Sequence, residues 1–337
     1  YIVNETGTRK GHTYYYNTIV RELVTTNIFI IFHSDMYLCP GALDEVEKHI
    51  KEKTIVSLTR IEPDLHPAGP EKIQLQNGPT EPEQFDEPTF LDWFNDIKKH
   101  YVGKTTDGIF APWACMTKDF LEIGGHDQLF APQSREDSDV FSRFQLNGVN
   151  FIQVWQGCCY HLTCRGSRRN TNESAKNIYE DSPEWLAQNQ RSTRNFIRKW
   201  GHMVDHTPLL KPIIPNKYNV GIELSNCKVE FLGALEPWCD NIYVDLRDVE
   251  RNNYIQHEQQ NTKFDMLKRV YGIDREMDNA IIVKIDCNNF TTEDFNYIQQ
   301  LSKILDEQTE SGQFKLGNLN ITINTLTQYT NQLIKLK

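Results

Sequence analysis

The chain has no C-x-x-C cysteine pair, no long apolar run, no excess of basic charge and no internal repeat, and each absence closes off a class of protein. Its eight cysteines, Cys39, Cys115, Cys158, Cys159, Cys164, Cys227, Cys239 and Cys287, lack the spacing of a zinc ribbon. With 39% hydrophobic residues the chain can bury a core without a disulfide framework, so a reducing, cytoplasmic setting is the simplest expectation. The longest apolar run, residues 28–32, falls far short of the roughly 20 residues of a membrane span. No secretory leader is visible, and any membrane association is expected to be peripheral. The formal charge of -10, from 46 acidic and 36 basic residues, argues against a general nucleic-acid binder. An anionic ligand must therefore be met by a local basic cluster.

What is present is an alternation of strands and helices. Residues 13–23 read as a helix, and residues 28–32 as a central strand covered on both faces. A helix follows from Pro40 to about Glu52, then a short strand over 55–58. Residues 62–86, rich in Pro, Gly, Glu and Gln, read as a long surface loop. Helices are expected over 90–101, 118–123, 134–146 and 183–200, and extended segments over 108–116 and 151–155. Three prolines in residues 207–215 suggest a linker, placed at 205–216. Beyond it strands are expected at 220–224, 242–244, 280–285 and 319–323, with helices at 253–270, 292–307 and 328–336. The length of 337 residues fits two domains, 1–204 and a smaller α/β domain at 217–337. The chain opens at Tyr1 without Met and enters at once into Tyr-Ile-Val, so residues are expected to precede it.

Three segments of the first half carry candidate chemistry. In Phe32-His33-Ser34-Asp35, His33 and Asp35 flank one residue, so in an extended chain both side chains point the same way and could hold a divalent cation. The plain alternative is an aspartate capping the next helix. Next come Gly124-Gly125-His126-Asp127 and Ser134-Arg135-Glu136-Asp137-Ser138-Asp139, with Arg143 and Gly148 beyond. Ser134 and Asp137 have capping-box spacing, and Asp139 can pair with Arg143 four positions on. Capping does not need two adjacent carboxylates, which leaves one of Glu136 and Asp137 free to act as a general base. Nor does it need the double glycine, which lets backbone approach a ligand. The third segment is His161, followed by Arg165, Arg168 and Arg169. An imidazole after a strand can ligate a metal, and guanidinium groups grip phosphate oxygens in pairs.

In this order the segments resemble the GT-A glycosyltransferases, especially family 2 and the related metal-dependent galactosyltransferases. The resemblance covers about residues 1–200 and is most specific in Glu136-Asp137-x-Asp139-x-x-x-Arg143. It implies a GT-A-like, Rossmann-like mixed sheet flanked by helices. The family's metal-binding Asp-x-Asp matches His33-x-Asp35, with His in place of the first Asp. Its Gly-Gly-Phe-Asp matches Gly124, Gly125, His126 and Asp127, with His in place of the aromatic. Its late metal-binding histidine matches His161, and Lys10 and Asn17 look like its donor-binding stretch. The elements that hold uracil and ribose in the family would precede Tyr1.

The resemblance implies a polysaccharide-building, inverting transferase. Mn2+ or Mg2+ would sit on Asp35 and His161 with His33 nearby, and Asp137, beside Glu136, would be the base. The donor, a nucleotide-diphosphate sugar of the UDP type, would be met by Lys10, Asn17, Gly124, Gly125, Arg165 and Arg168. A glycan acceptor would meet Trp113, His126 and Asp127, although a buried aromatic is the plain reading of Trp113. The competing expectation is an inactive, glycosyltransferase-like structural or glycan-binding protein. In the second half, Asp245, His257 and Glu258 lie close in sequence, and a solvated helix face is the preferred reading of them.

Overall fold

The computed structural model describes residue 7 and residues 10–65, 67–162 and 181–336. The first half runs α1 (Gly11–Glu22), β1 (Ile28–Ile31), β2 (Met36–Leu38), α2 (Ala42–His49), β3 (Thr54–Pro63), β4 (Lys72–Leu75) and α3 (Glu87–Ile97). It continues with β5 (Thr105–Thr106), β6 (Trp113–Met116), α4 (Thr117–Glu122), α5 (Glu136–Leu146), β7 (Asn150–His161) and α6 (Pro183–Trp200). The strands form one mixed sheet in the order β1-β6-β3-β7-β2, with β4 beside β3 and β5 beside β7. At its centre β3 is buried at all ten positions, because its alternate side chains enter two cores. Ile55 joins the cluster made with α1, α4 and α5. Val56 and Leu58 join the cluster made with α2.

The second half runs β8 (Val220–Ser225), α7 (Val229–Leu235), β9 (Asn241–Val244), α8 (Asp248–Gln259), β10 (Val270–Gly272), β11 (Ile281–Asp286), α9 (Thr292–Asp306), β12 (Gly312–Leu316) and β13 (Leu319–Ile323). Its sheet has the order β10-β9-β8-β11-β13-β12. The first four strands of that order are parallel, and β12–β13 is an antiparallel hairpin at one edge. The whole is therefore an α/β fold, a mixed sheet flanked by helices with a second, smaller α/β region. The tail of the chain returns to the first sheet: Leu336 N donates to Ile123 O at 3.2 Å, and Ile334 packs on the core around Trp113.

Several sequence expectations change. Residues 28–31 form an edge strand, not a central one, and three of its four residues are only half-buried. The expected loop at 62–86 is shorter, because β3 runs through Pro63 and β4 pairs with it in parallel. Charge in Arg60, Glu62 and Lys72 disguises these strand ends, and in the fold both cations pair with Glu62. The helix expected over 253–270 stops at Gln259 and gives way to β10. The expected last helix is a single 3-10 turn, Thr330–Leu333. The stretch 205–216 is packed rather than free. Ile109 N donates to Leu209 O at 3.2 Å, and Lys211 pairs with Asp107 at 3.0 Å. No helix among the described residues is long and apolar enough to cross a membrane.

Candidate active site

Strand register builds one side of the site. β7 lies between β3 and β2, and the antiparallel β2–β7 pairing sets Met36 opposite His161. The parallel β3–β7 pairing shifts after Leu58, so that Thr59, Arg60 and Ile61 face Cys158, Cys159 and Tyr160. Trp155, Gln156 and Gly157 are left without a β3 partner, and the slip brings His161 level with Glu62. The imidazole is thus held from both sides. Its Nδ1 lies 2.8 Å from Glu62 Oε1, and its Nε2 lies 3.4 Å from Asp35 Oδ2.

Glu62 is itself buried and accepts from Arg60 at 2.9 Å and Lys72 at 2.8 Å. Burial opposes its charge, but the His161 bond and the two cations outweigh it and hold the carboxyl well below the usual range. A carboxylate on Nδ1 fixes the ring so that Nε2 faces Asp35, as the outer carboxylate does behind a metal-bound histidine. Asp35 and His161 are the two donors here that could hold a cation; as they stand they pair with each other, and although burial opposes it, the bonds to Asp35 and Glu62 raise the His161 pKa. Among the described residues no group of three or more His, Cys, Asp or Glu could hold a metal by itself.

The other side is the start of α5. Ser134 and Arg135, at φ 78° and 67°, are consecutive left-handed residues. The expected capping box is absent: Ser134 Oγ donates instead to Asn189 Oδ1 at 2.7 Å, and Arg135 Nε to Thr193 Oγ1 at 3.0 Å, both on α6. Such conformations persist only where neighbours hold them, and they lie here directly before Glu136-Asp137. Burial, reinforced by the charge of Glu136 and opposed by His12, pushes the Asp137 carboxyl up to about 7. Asp137 borders a pocket of about 160 Å³, open to solvent and lined by α5, Phe110, Phe196 and residues of the 202–213 segment. Asp139 differs. It is fully buried and paired with Arg143 at 2.8 Å, with Lys199, and with Trp200 Nε1 at 3.0 Å, which leaves it a structural role.

α1 joins the two sides. His12 Nδ1 lies 3.7 Å from Glu136 Oε1, and its ring stacks on Tyr16 at 5.7 Å and His33 at 6.2 Å. Burial and the carboxylates of Asp137, Glu136 and Asp35 all push the Tyr16 hydroxyl upward, so this phenol senses both acidic groups. His33 is half-buried between Asp35, His12 and His161, and burial lowers its pKa.

The remaining expected site residues lie elsewhere or serve the scaffold. Trp113 is wholly buried, its ring edge-on to Phe29, Phe141 and Phe144, with no face open to a sugar. Asn17 spends its side-chain amide on the backbone of His126, donating at 2.7 Å and accepting at 2.8 Å. His126 is fully buried between Tyr16 and Phe120 and is lowered by burial to about 3, a core position rather than an acceptor contact. Gly124 and Gly125, at φ 85° and 74°, make a turn whose close neighbours are Leu336 and Asn17 rather than open space. Asp127 accepts from Leu129 N at 2.9 Å and pairs with Lys199 at 2.8 Å. Lys10 lies over the Tyr14 ring at 4.4 Å. Arg165 and Arg168 fall outside the described residues.

No protein-family model and no curated protein matches the chain. Among solved structures it has a distant likeness to the crystal structure of GalNAc-T7 with UDP, GalNAc and Mn2+, at 13% identity and a TM-score of 0.34. The likeness covers 58% of this chain and 36% of that one, too loose for a residue of one to be read onto the other.

Three members of the site were not singled out from sequence: His12, Tyr16 and Glu62. His12 and Tyr16 stand four apart on α1 and share a face, a spacing visible in the sequence. Glu62 had no such signal, because its partner His161 is almost a hundred residues away.

Proposed function

We propose that the chain is a metal-dependent, inverting glycosyltransferase that moves a sugar from a nucleotide-diphosphate donor, of the UDP type, to a hydroxyl of a glycan. The observation that carries this reading is the half-buried Asp137, raised to about 7, on a cavity wall and linked through Tyr16 and His12 to the Asp35–His161 pair. Asp137 takes the proton of the acceptor hydroxyl. The acceptor oxygen bonds to the anomeric carbon as the bond from that carbon to the diphosphate breaks, and one displacement inverts the centre. Mn2+ or Mg2+, held by Asp35 and His161, would supply charge neutralisation to the departing diphosphate. Glu62 keeps His161 in the orientation that this requires, and Glu136 maintains the field that keeps Asp137 basic.

The test is release of UDP from a panel of UDP-sugars with Mn2+ and glycan acceptors. Asp137→Asn is expected to lower turnover by about 10²–10⁴-fold while Mn2+-dependent UDP binding persists. Turnover near wild type in that variant overturns the base assignment. A wild-type protein that binds glycans but turns over no donor favours a glycan-binding module instead.

A further inference from the structure

The second sheet carries a pair of thiols that the proposed transfer chemistry does not use. β8 and β11 run side by side in parallel, with Ser225 opposite Asp286 at their carboxyl ends. Cys227 stands just past Ser225, and Cys287 directly follows Asp286. Cys287 is fixed by its own N–H, which donates to Ser225 O at 3.0 Å. Cys227 is fixed by Asp245, whose carboxylate accepts from Asn226 N at 2.6 Å and from Cys227 N at 2.9 Å. Asn226 is left-handed at φ 54°, so the chain turns at the end of β8. Its side chain ties that turn to β11, donating to Asp286 Oδ1 at 2.9 Å. Both cysteines thus enter one apolar cluster, where their thiols are hydrogen-bonded to each other. That bond lowers the Cys287 thiol and drives the Cys227 thiol up.

A buried cysteine is ordinarily packing, out of reach of an oxidant. Cys39, Cys115, Cys158, Cys159 and Cys239 fit that description. Cys227 does not, because it is only half-buried and a small disulfide can reach its sulfur. Cys287, 5% exposed, lies behind it and in contact with it. An accessible thiol backed by a sheltered one has the arrangement of an attacking and a resolving cysteine.

We propose that Cys227 and Cys287 are a redox-active dithiol, oxidised by a small disulfide of the glutathione class to an intrachain disulfide that staples the end of β8 to the end of β11. The Cys227 thiolate attacks one sulfur of glutathione disulfide, whose S–S bond breaks and releases one glutathione thiolate. The Cys287 thiolate then attacks the Cys227 sulfur and expels the second. Two electrons pass from the protein thiols to the oxidant, and the two thiol protons end on the two glutathiones. The staple closes a loop of about sixty residues. It also fixes the carboxyl edge of the parallel strands, the edge at which open α/β sheets take ligands. This chemistry is independent of the transfer reaction proposed for the first half.

The experiment is incubation of the full chain with glutathione disulfide at mildly alkaline pH, then alkylation of the remaining thiols and peptide mapping without reductant. A peptide linking Cys227 to Cys287 is expected, lost on treatment with dithiothreitol. The oxidised chain should melt about 4–16 °C above the reduced one. Cys287→Ala should stop at a glutathione adduct on Cys227. Cys227→Ser changes a half-buried position and serves if the first variant does not fold; it should give neither the link nor the rise in melting temperature. Wild-type chain in which both cysteines are recovered alkylated, or in which Cys227 keeps its glutathione adduct, overturns the proposal.

Discussion

Glu236→Gln should destabilise the fold heavily without touching the candidate site. Glu236 is wholly buried and receives Arg198 Nε at 3.0 and 3.1 Å, Arg269 Nε at 2.8 Å and the Tyr254 hydroxyl at 3.2 Å. Arg194 approaches at 3.4 Å, and Arg198 also meets Glu258. Burial opposes the charge, but the Arg269 and Arg198 cations outweigh it and lower the carboxyl from an ordinary 4.5 to about 2. At about 1.4 kcal/mol per unit, that shift corresponds to about 3 kcal/mol. Glutamine would leave the guanidinium groups of Arg198 and Arg269 under-compensated, and breaking a buried pair typically costs about 3–5 kcal/mol. At about 2–4 °C per kcal/mol the melting temperature should fall by about 6–20 °C at pH 7.

The pH dependence has a definite sign. A depressed carboxyl stabilises the folded state above its ordinary pKa, and the contribution is lost as pH falls from about 4.5 towards about 2. The gap between wild type and Glu236→Gln should therefore narrow over that window. Calorimetric melts from pH 7 down to pH 3 would read it. Glu223→Gln, which breaks an exposed pair with Lys284, is the control and should cost at most about 1 kcal/mol. A loss below about 1 kcal/mol for Glu236→Gln at pH 7 would refute the argument that the cluster depends on this charge.

Four further outcomes follow from the site and its support. With Asp137 raised to about 7, kcat/KM should climb with pH and level off above about 7; a flat profile through that range would reject the base. The same raised value means the group favours the folded state at low pH and loses that contribution as pH rises through about 7, so Asp137→Asn should melt higher than wild type at pH 8. Glu62→Gln should weaken Mn2+-dependent UDP binding about 10–100-fold while leaving metal-free UDP binding alone, read by titration calorimetry; equal loss in both would point to a collapsed strand end. Asn17→Ala should cost about 2–3 kcal/mol in urea unfolding, because the buried N–H and C=O of His126 lose their partners; a cost under about 0.5 kcal/mol would show that water replaces the amide.

The elements with strong local signals were legible in the sequence. α6 begins at Ser182-Pro183 and ends at Gly201 in the left-handed region, as the capping residues and glycine suggest. The acidic start of α5 was also visible, but its Ser134–Asp137 box was not formed, since α6 draws Ser134 and Arg135 into left-handed conformations that no local pattern encodes. Asn17 and the Gly124-Gly125 pair illustrate a general ambiguity. Small and amide residues that can wrap a ligand can equally satisfy neighbouring backbone, and here they do the latter. Asp245, His257 and Glu258 separate in a similar way. Asp245 accepts from the backbone N–H groups of Asn226 and Cys227, while Glu258 is drawn into the arginine cluster. What remained hidden was partnership over long separation: Glu62 with His161, and His12 with Glu136.

The returning tail gives the second half two anchors. One is α6, locked by Arg198 to Glu236, and the other is the strip around Ile334 and Leu336 on the first sheet. A body fastened both along a helix and by its own last residues resists being drawn off the first sheet. Tension drawn on the chain at Leu336 would not fall first on the second sheet. It would peel Leu336 from Ile123 and load the Gly124-Gly125 turn, whose carbonyls are held by Arg21 and Arg143. A pull on this strip would thus be felt first at the turn that follows α4.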